Sequence, residues 1–195
     1  MTPMRRSTLL ILIAAGAAVV GFTIASAAER MRGSESEPVP SRPAPAQVAK
    51  LDWHEKIGSA GERLEFGWDR FQVVRGGWRA HISVTNDSQV AFELDKPNRS
   101  FGLMLFSSGK HQDLTERNSA GTLPAVRFGV SYKPPLPDTL EPKETWEGTM
   151  SGPGALAAGS WVRIVFGYFD AVGAAPDIFK GSLLWITDHA YPLQR

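Results

Sequence analysis

From Leu51 onward, apolar side chains recur at every second position, which is the spacing of a β-strand with one buried face. Leu64, Phe66 and Trp68 alternate with polar or small residues, and Trp78 to Val84 alternate in the same way after two glycines. Similar short runs follow at residues 90–94, 101–106, 126–132, 146–150, 162–168 and 182–187. The pattern predicts an all-β domain of about eight strands.

No segment after Leu51 has an apolar stripe of helical period over three turns. The segment from His111 to Gly121 is polar and without period, so we expect a long connecting loop there. Short strands separated by polar turns are typical of an antiparallel two-sheet sandwich, with a single sheet closed on itself as the alternative. The Asn86-Asp87-Ser88 sequence predicts a turn made by side-chain to backbone hydrogen bonds.

The N-terminal part of the chain, residues 1–28, is apolar. Leu9 to Ala28 contain no charged residue over 20 positions, which is enough to cross a hydrocarbon layer of about 30 Å as a helix. Arg5 and Arg6 precede this stretch, so the positive-inside rule places the C-terminal side outside the cytoplasm. Ala25-Ser26-Ala27 also fits a signal peptidase site, so a cleaved signal peptide is the alternative. Both interpretations export the rest of the chain.

Residues 29–50 contain four prolines among small and polar residues, with no apolar periodicity from which a core could form. We expect a flexible tether there and a folded domain over residues 51–195. The chain has no cysteine, so this domain depends on buried apolar surface and not on disulfides. From Leu51 onward 15 basic residues stand against 17 acidic ones, which gives nucleic-acid binding no electrostatic basis.

Three sequence blocks resemble a known kind of domain: Trp78-Arg-Ala-His-Ile-Ser-Val-Thr-Asn86-Asp-Ser88, Leu140-Glu-Pro-Lys-Glu-Thr-Trp-Glu-Gly-Thr149 and Trp161-Val-Arg-Ile-Val-Phe166. They are similar to the immunoglobulin-like β-sandwich of bacterial exported proteins of the DUF4352 or telokin-like kind. The chain departs from that pattern at Lys143, where the turn usually has glycine. The resemblance implies an immunoglobulin-like sandwich with an adhesion, ligand-binding or scaffold role, and it carries over no catalytic residues.

Candidate chemical sites are weak in this sequence. His54, His81, His111 and His189 are far apart along the chain and form no local ligand pair, so we expect no metal site. No nucleophile elbow or phosphate-binding glycine motif occurs. Turn chemistry accounts for two candidate calcium pairs, Asn86 with Asp87 and Asp95 with Asn98, and a solvated strand edge accounts for the carboxylate pairs among Glu141, Glu144 and Glu147. We expect no catalytic residue and no cofactor.

The aromatic residues give the one positive signal for binding. The strand at residues 161–169 is apolar on both sides, with Val162, Ile164, Phe166 and Tyr168 expected on one face. Its other face, together with the doubly apolar strand at residues 101–106, needs a cover, which is either another part of the chain or a partner. The candidate partner-binding residues are Trp161, Val165, Phe169, Met104 and Phe106.

These observations predict a non-enzymatic, membrane-tethered domain outside the cytoplasm that binds an envelope protein or polymer. One alternative is a module for small ligands or carbohydrates, which would stack sugar rings on exposed tryptophans. A second alternative is a protease inhibitor that uses the proline-rich segment from Lys133 to Asp138 as a rigid exposed loop.

Overall fold

The computed structural model of the chain describes residues 9–12, 42–94 and 101–195. Within these ranges the protein forms two β-sheets and one α-helix, α1 (His111–Ala120), with a 3-10 turn at Asp177–Phe179. The prediction of a mainly antiparallel, two-sheet all-β domain is confirmed. Twelve strands follow one another from Gln47 onward, more than the eight expected, because several are only two or three residues long.

The smaller sheet has five antiparallel strands in the order β2-β3-β4-β10-β8. These strands are β2 (Gln47–Ser59), β3 (Glu62–Val74), β4 (Gly77–Asp87), β10 (Thr145–Pro153) and β8 (Ser131–Lys133). Alternating burial along β4, where Trp78, Ala80, Ile82 and Val84 are buried, confirms the predicted period of two. The opposite side of this sheet, its outer face, is polar and faces solvent.

The larger sheet is organised around a central strand, β11. Its members are β1 (Leu9–Leu12), β5 (Phe92–Leu94), β6 (Phe101–Phe106), β7 (Arg127–Phe128), β9 (Thr139–Leu140), β11 (Trp161–Ala171), β12 (Ser182–Ile186) and β13 (Tyr191–Pro192). One edge of β11 pairs with β12 and β13, and the other edge pairs with β6 and β5. All pairings are antiparallel except that of β1 with β12.

The two sheets pack face to face around one aromatic core. Phe66 of β3 lies 4.9 Å from the Phe166 ring of β11 and stacks on Trp185 of β12 at 5.5 Å between ring centroids. All three side chains are buried, so burial of aromatic surface stabilises the packing of the two sheets. The domain is therefore a β-sandwich.

A β-bulge in β11 changes which residues face this core. Val162, Ile164 and Phe166 point inward as expected, but the register with β12 shifts between Gly167 and Phe169. Gly167 has a φ of 127°, a conformation that glycine adopts without steric penalty. Beyond it, Phe169 faces the main core and Tyr168 the other side. The predicted faces of these two residues are wrong because an extra residue at a bulge reverses the alternation.

Residues 111–120 form helix α1, so the prediction of a loop there is wrong. The helix buries only Leu114, which explains why the sequence shows no apolar stripe. Two further contacts that stabilise the helix are local: Arg117 Nε lies 2.9 Å from Asp113 Oδ1, one turn earlier, and Gly121 caps the C-terminus with a φ of 67°.

The fold begins before Leu51. Strand β2 starts at Gln47, and the preceding residues already pair with the loop after β10, since the Ala44 amide donates to the Leu156 carbonyl. The Gln47 side-chain oxygen accepts hydrogen bonds from the Gln194 amide at 3.2 Å and the Tyr191 hydroxyl at 3.1 Å. The two ends of the domain therefore meet.

Most of the N-terminal segment lies outside the described residues, as do residues 29–41 of the predicted tether and the candidate pair Asp95 and Asn98. Leu9–Leu12 run parallel to β12 as strand β1. Among the described residues there is no helix with the length and apolar character needed to cross a membrane. The membrane anchor therefore stays a prediction.

Candidate functional site

The five residues predicted to bind a partner are mostly inside the protein. Phe169 belongs to the main core between the sheets. Met104, Phe106 and Val165 are also buried, in a second small core on the far side of the larger sheet, and Trp161 packs partly exposed against it. Helix α1 covers this second core through Leu114. The apolar face thus has a cover within the chain, and of the five side chains only Trp161 is partly exposed.

The outer face of the smaller sheet instead presents a group of metal-ligating side chains. It consists of Asp52, His54, Asp69, His81 and Glu147, which we call the outer-face cluster. The members come from four neighbouring strands, β2, β3, β4 and β10. Strand pairing therefore brings together residues that are up to 95 positions apart, since they run from 52 to 147 in the chain.

Two β-bulges in adjacent strands position the aspartates. The register between β2 and β3 shifts between Lys50 and Trp53, and the register between β3 and β4 shifts between Trp68 and Arg70. Asp52 lies in the first bulge with a φ of 57°, a left-handed conformation that Asp tolerates better than most residues. Bulges redirect side chains, and they are frequent next to functional sites.

The side chains of the cluster lie close to one another, but they do not satisfy all of each other's hydrogen-bonding groups. His54 Nε2 lies 3.2 Å from Asp52 Oδ1. His81 lies between two carboxylates, with its Nδ1 at 3.6 Å from Asp69 Oδ2 and its Nε2 at 3.8 Å from Glu147 Oε1. Both of these distances are too long for a hydrogen bond. The buried His81 Nδ1 atom has no hydrogen-bond partner within the described structure.

A groove of about 610 Å³ opens beside the cluster. Its lining is mostly charged or polar, with Leu51 as the one apolar residue, and it consists of Lys50, Leu51, Asp52, Asp69, Arg70 and His81. Both signs of charge face the same opening, so the groove suits a polar ligand with charged groups and not an apolar one.

A second titratable cluster lies within the packing of the domain. Glu55 of β2 has a side chain only 8% exposed, and it joins the smaller sheet to the larger one. Its carboxylate accepts hydrogen bonds from Trp185 Nε1 at 2.9 Å and from the amides of Asp188 and His189 at 3.0 and 2.9 Å. His189 Nδ1 lies 2.7 Å from the same carboxylate. These contacts occupy the carboxylate, so Glu55 has a structural role.

Arg163 of β11 is fully buried beside this cluster. Its guanidinium donates to the backbone carbonyl oxygens of Gly109, Lys110, Thr187 and Asp188. It also lies over the Phe106 ring at 5.4 Å, within the range of a cation–π interaction. Arg163 thereby holds the start of α1 and the end of β12 together.

The carboxyl of Asp188 is electrostatically unusual. Burial, and next the nearby carboxylate of Glu55, raise the pKa of Asp188 to about 6, although His111 and Arg163 act in the opposite direction. His111 Nδ1 of α1 lies 3.1 Å from Asp188 Oδ1. The ionisation of Asp188 is thus linked to the attachment of the helix.

The other candidate carboxylates and turn residues have structural roles. Glu144 Oε2 accepts a hydrogen bond from the Glu141 amide at 2.8 Å, which closes the turn before β10. The side chain of Asn86 accepts from the Ser88 amide, so the predicted turn is confirmed. Asp87 contacts Lys143 Nζ at 2.6 Å, and this hydrogen bond lowers the pKa of Asp87.

Two features bear on the alternative functions. Of the six tryptophans, four are buried, and Trp53 and Trp161 are only partly exposed, so none forms an open platform for a sugar ring. The segment from Lys133 to Asp138 is anchored by Leu136, which is 8% exposed, and by Trp146 Nε1, which donates to the Pro135 carbonyl. Neither alternative gains support from these contacts.

No family model, curated protein or solved structure matches this chain. The geometry of the outer face alone therefore defines the candidate site. Sequence reasoning missed the outer-face cluster because its residues belong to four different strands. The usable signal was polar alternation: Asp52 and His54 occupy alternate positions of β2, so they share a face.

Proposed function

We propose that this chain is a non-enzymatic binding domain held outside the cytoplasm by its N-terminal segment, with an immunoglobulin-like sandwich that contacts an envelope protein or polymer through its outer face. The observation that supports the proposal best is the charged groove at the two facing bulges. The groove residues belong to three long paired strands, β2, β3 and β4. Strand pairing holds them in place, so binding there requires little ordering of the protein.

The proposed location follows from the N-terminal sequence. Arg5 and Arg6 precede the uncharged stretch from Leu9 to Ala28, so the positive-inside rule puts them on the cytoplasmic side and the domain on the other side. In the membrane-inserted chain, Leu9–Leu12 leave their pairing with β12. The domain has no cysteine, so its fold does not depend on disulfide formation after export. The anchor is either retained or cut after Ala27, and both outcomes leave the domain outside.

A polar partner surface fits the distribution of exposed side chains. Among the described residues, only Val48, Val130 and Val172 are large hydrophobic residues with substantial exposure. Three separate valines do not make an apolar patch, so hydrophobic docking has little surface to use. Charged contacts around Lys50 and Arg70 are the remaining means of attraction.

The proposal is tested by site-specific photo-crosslinking of the full-length chain in its native membrane. A photoreactive amino acid replaces Val48, which is 66% exposed and lies on the same side of β2 as Lys50. The matched control replaces Val172, which is 48% exposed and follows β11 in the other sheet. We expect one discrete adduct at position 48 and none of that mass at position 172.

A second variant ties the adduct to the groove. Combining the probe at position 48 with Lys50→Ala and Arg70→Ala removes both cations of the groove, so the adduct yield should fall at least about tenfold if charged contacts supply a few kcal/mol. An absent adduct at position 48, an identical adduct at both valine positions, or an unchanged yield in the double variant contradicts the proposal.

A further inference from the structure

We propose that the outer-face cluster binds a divalent transition-metal ion of the zinc class, with Asp69 as the shared ligand. Two sets of three side chains converge around this aspartate: Asp52, His54 and Asp69 on one side, and Asp69, His81 and Glu147 on the other. Within each set the ligand atoms all lie within 4.8 Å of one another. The inference rests on the proposed function, because it assigns a ligand to the same face.

The spacing fits a small ion. An ion with four ligands at about 2.1 Å in a tetrahedral arrangement holds neighbouring ligand atoms about 3.4 Å apart. The cluster has separations of 3.2 Å between His54 Nε2 and Asp52 Oδ1 and of 3.6 Å between His81 Nδ1 and Asp69 Oδ2. Glu147 Oε1 lies 3.8 Å from the other ring nitrogen of His81, Nε2, so one ion uses only one of the two His81 contacts. Rotations of exposed side chains close the remaining differences.

The donor set selects the class of ion. Imidazole nitrogen together with carboxylate oxygen suits zinc and its neighbours in the first transition row, whereas Mg²⁺ and Ca²⁺ prefer oxygen ligands alone. Each set contributes one histidine, His54 or His81, and two carboxylates. Three protein ligands leave at least one coordination position for water or for a group of a bound partner.

The charges of the cluster also favour a cation. Asp52, Asp69 and Glu147 place three carboxylates on one face, and histidines are their only ion-pair partners among the residues that the structure describes. His81 Nδ1 is buried, faces Asp69 and has no hydrogen-bond partner in the described part of the chain. A buried polar atom without a partner is destabilising, and a metal–nitrogen bond would satisfy it.

The groove gives the ion access to a ligand. Asp52, Asp69 and His81 line it together with Lys50 and Arg70. An ion bound at Asp69 would therefore face two cationic side chains across an open space. This arrangement suits an anionic group that bridges the metal and the two cations.

Isothermal titration of the untagged, metal-stripped full-length chain in detergent tests the inference. We expect saturable binding of Zn²⁺ and no binding of Mg²⁺. Asp69→Asn keeps the size of the side chain but replaces the shared carboxylate by a neutral and weaker amide ligand, so the affinity should fall at least about tenfold, as loss of supporting groups alone reaches that size. Asp138→Asn, at an exposed position in the loop before β9, is the matched control and should bind as the wild type does.

Imidazole NMR signals provide a second measurement that does not depend on the stability of any variant. Addition of Zn²⁺ should shift the ring nitrogens of His54 or His81, and it should leave those of His111 and His189 in place. Absent Zn²⁺ binding, unchanged affinity in Asp69→Asn, or shifts confined to His111 and His189 overturns the metal site.

The two proposals fail in different ways. If Zn²⁺ binding is absent but the adduct at Val48 forms, the metal site is wrong and the binding face stands. If Zn²⁺ binds as expected and no adduct forms, the metal site stands and the proposed function is wrong.

Discussion

At the scale of single residues, the side chain of Asn86 connects separate segments of the chain. Its Nδ2 donates to the carbonyl oxygens of Val90, Leu140 and Glu141 at 2.8, 3.1 and 3.0 Å, and its Oδ1 accepts from Ser88. Asn86 is fully buried, at the end of β4. One amide therefore joins the turn after β4 to the segment that leads into β10.

Replacing Asn86 with alanine tests this role. Asn86→Ala leaves buried carbonyl groups without donors, so we expect the free energy of unfolding to fall by about 3 kcal/mol. The midpoint of urea unfolding measures the loss. Gln89→Ala changes an exposed residue of the same turn and should cost less than about 0.5 kcal/mol. Equal effects of the two substitutions would contradict the role assigned to Asn86.

Lys143 shows how a departure from a sequence pattern is accommodated. It has a φ of 67°, the left-handed conformation that usually favours glycine, and its ammonium group contacts Asp87 at 2.6 Å. Asp87 also lies 3.0 Å from Arg63 Nε. The turn thus keeps the backbone shape of a glycine turn, and the lysine side chain gains an ionic partner on a neighbouring strand.

At the scale of secondary-structure elements, α1 is the element that the sequence pattern failed to predict. It covers the side of the larger sheet that faces away from the main core, but a single leucine supplies its apolar contact. The helix is further held by Arg163, which binds the carbonyls of Gly109 and Lys110 just before its start, and by His111 beside Asp188. Polar contacts therefore help to attach α1 to the domain, whereas most surface helices are attached by an apolar stripe.

Leu114→Ala tests the attachment of α1. Removing a fully buried leucine leaves a cavity next to Phe106 and Val165, so we expect a loss of about 3 kcal/mol in the free energy of unfolding. Thermal unfolding followed by circular dichroism measures it. Thr115→Ala, at the next and exposed position, should change the stability by less than about 0.5 kcal/mol. A loss no larger than that of the control would mean that α1 is not held by this contact.

For the whole molecule, the sequence predicts the sandwich well and the site poorly. The alternation of apolar and polar residues predicted β3 and β4, because a strand with one buried face needs an apolar side chain at every second position. The reversed facing of Tyr168 and Phe169 could not be predicted, since a bulge leaves no trace in the composition of the strand. Helix α1 could not be predicted because it buries only one residue and so shows no apolar stripe. The outer-face cluster needs the register of four strands, which is a long-range property that no local pattern contains.

The stability of the whole domain should depend on pH through Asp188. Its folded-state pKa of about 6 lies above its ordinary value of 3.8, so the folded state holds this proton more tightly than the unfolded state. The resulting stabilisation is complete below about pH 4, and it is lost as the pH rises through about 6. Asp188→Asn keeps a neutral side chain at every pH.

Thermal midpoints of the wild type and Asp188→Asn between pH 4 and 8 check this expectation. The midpoint of the variant minus that of the wild type should increase as the pH rises from about 4 to about 7. Asp138→Asn, at an exposed position directly before β9, should show no such increase. A difference for Asp188→Asn that is constant over this range would contradict the pKa assigned to it.

The two ends of the domain lie next to each other, at one end of strand β2. Gln47 and Gln194 are hydrogen-bonded, so a short linker could join the two ends and the chain could be opened instead at Gly61, the tip of the β2–β3 hairpin. Strand β2 spans 13 residues, so this tip is about 40 Å from Gln47. Such a circular permutant would keep the pairings of β2 to β13 and would place both chain ends at the opposite end of β2, so the same groove would have the chain ends on its other side.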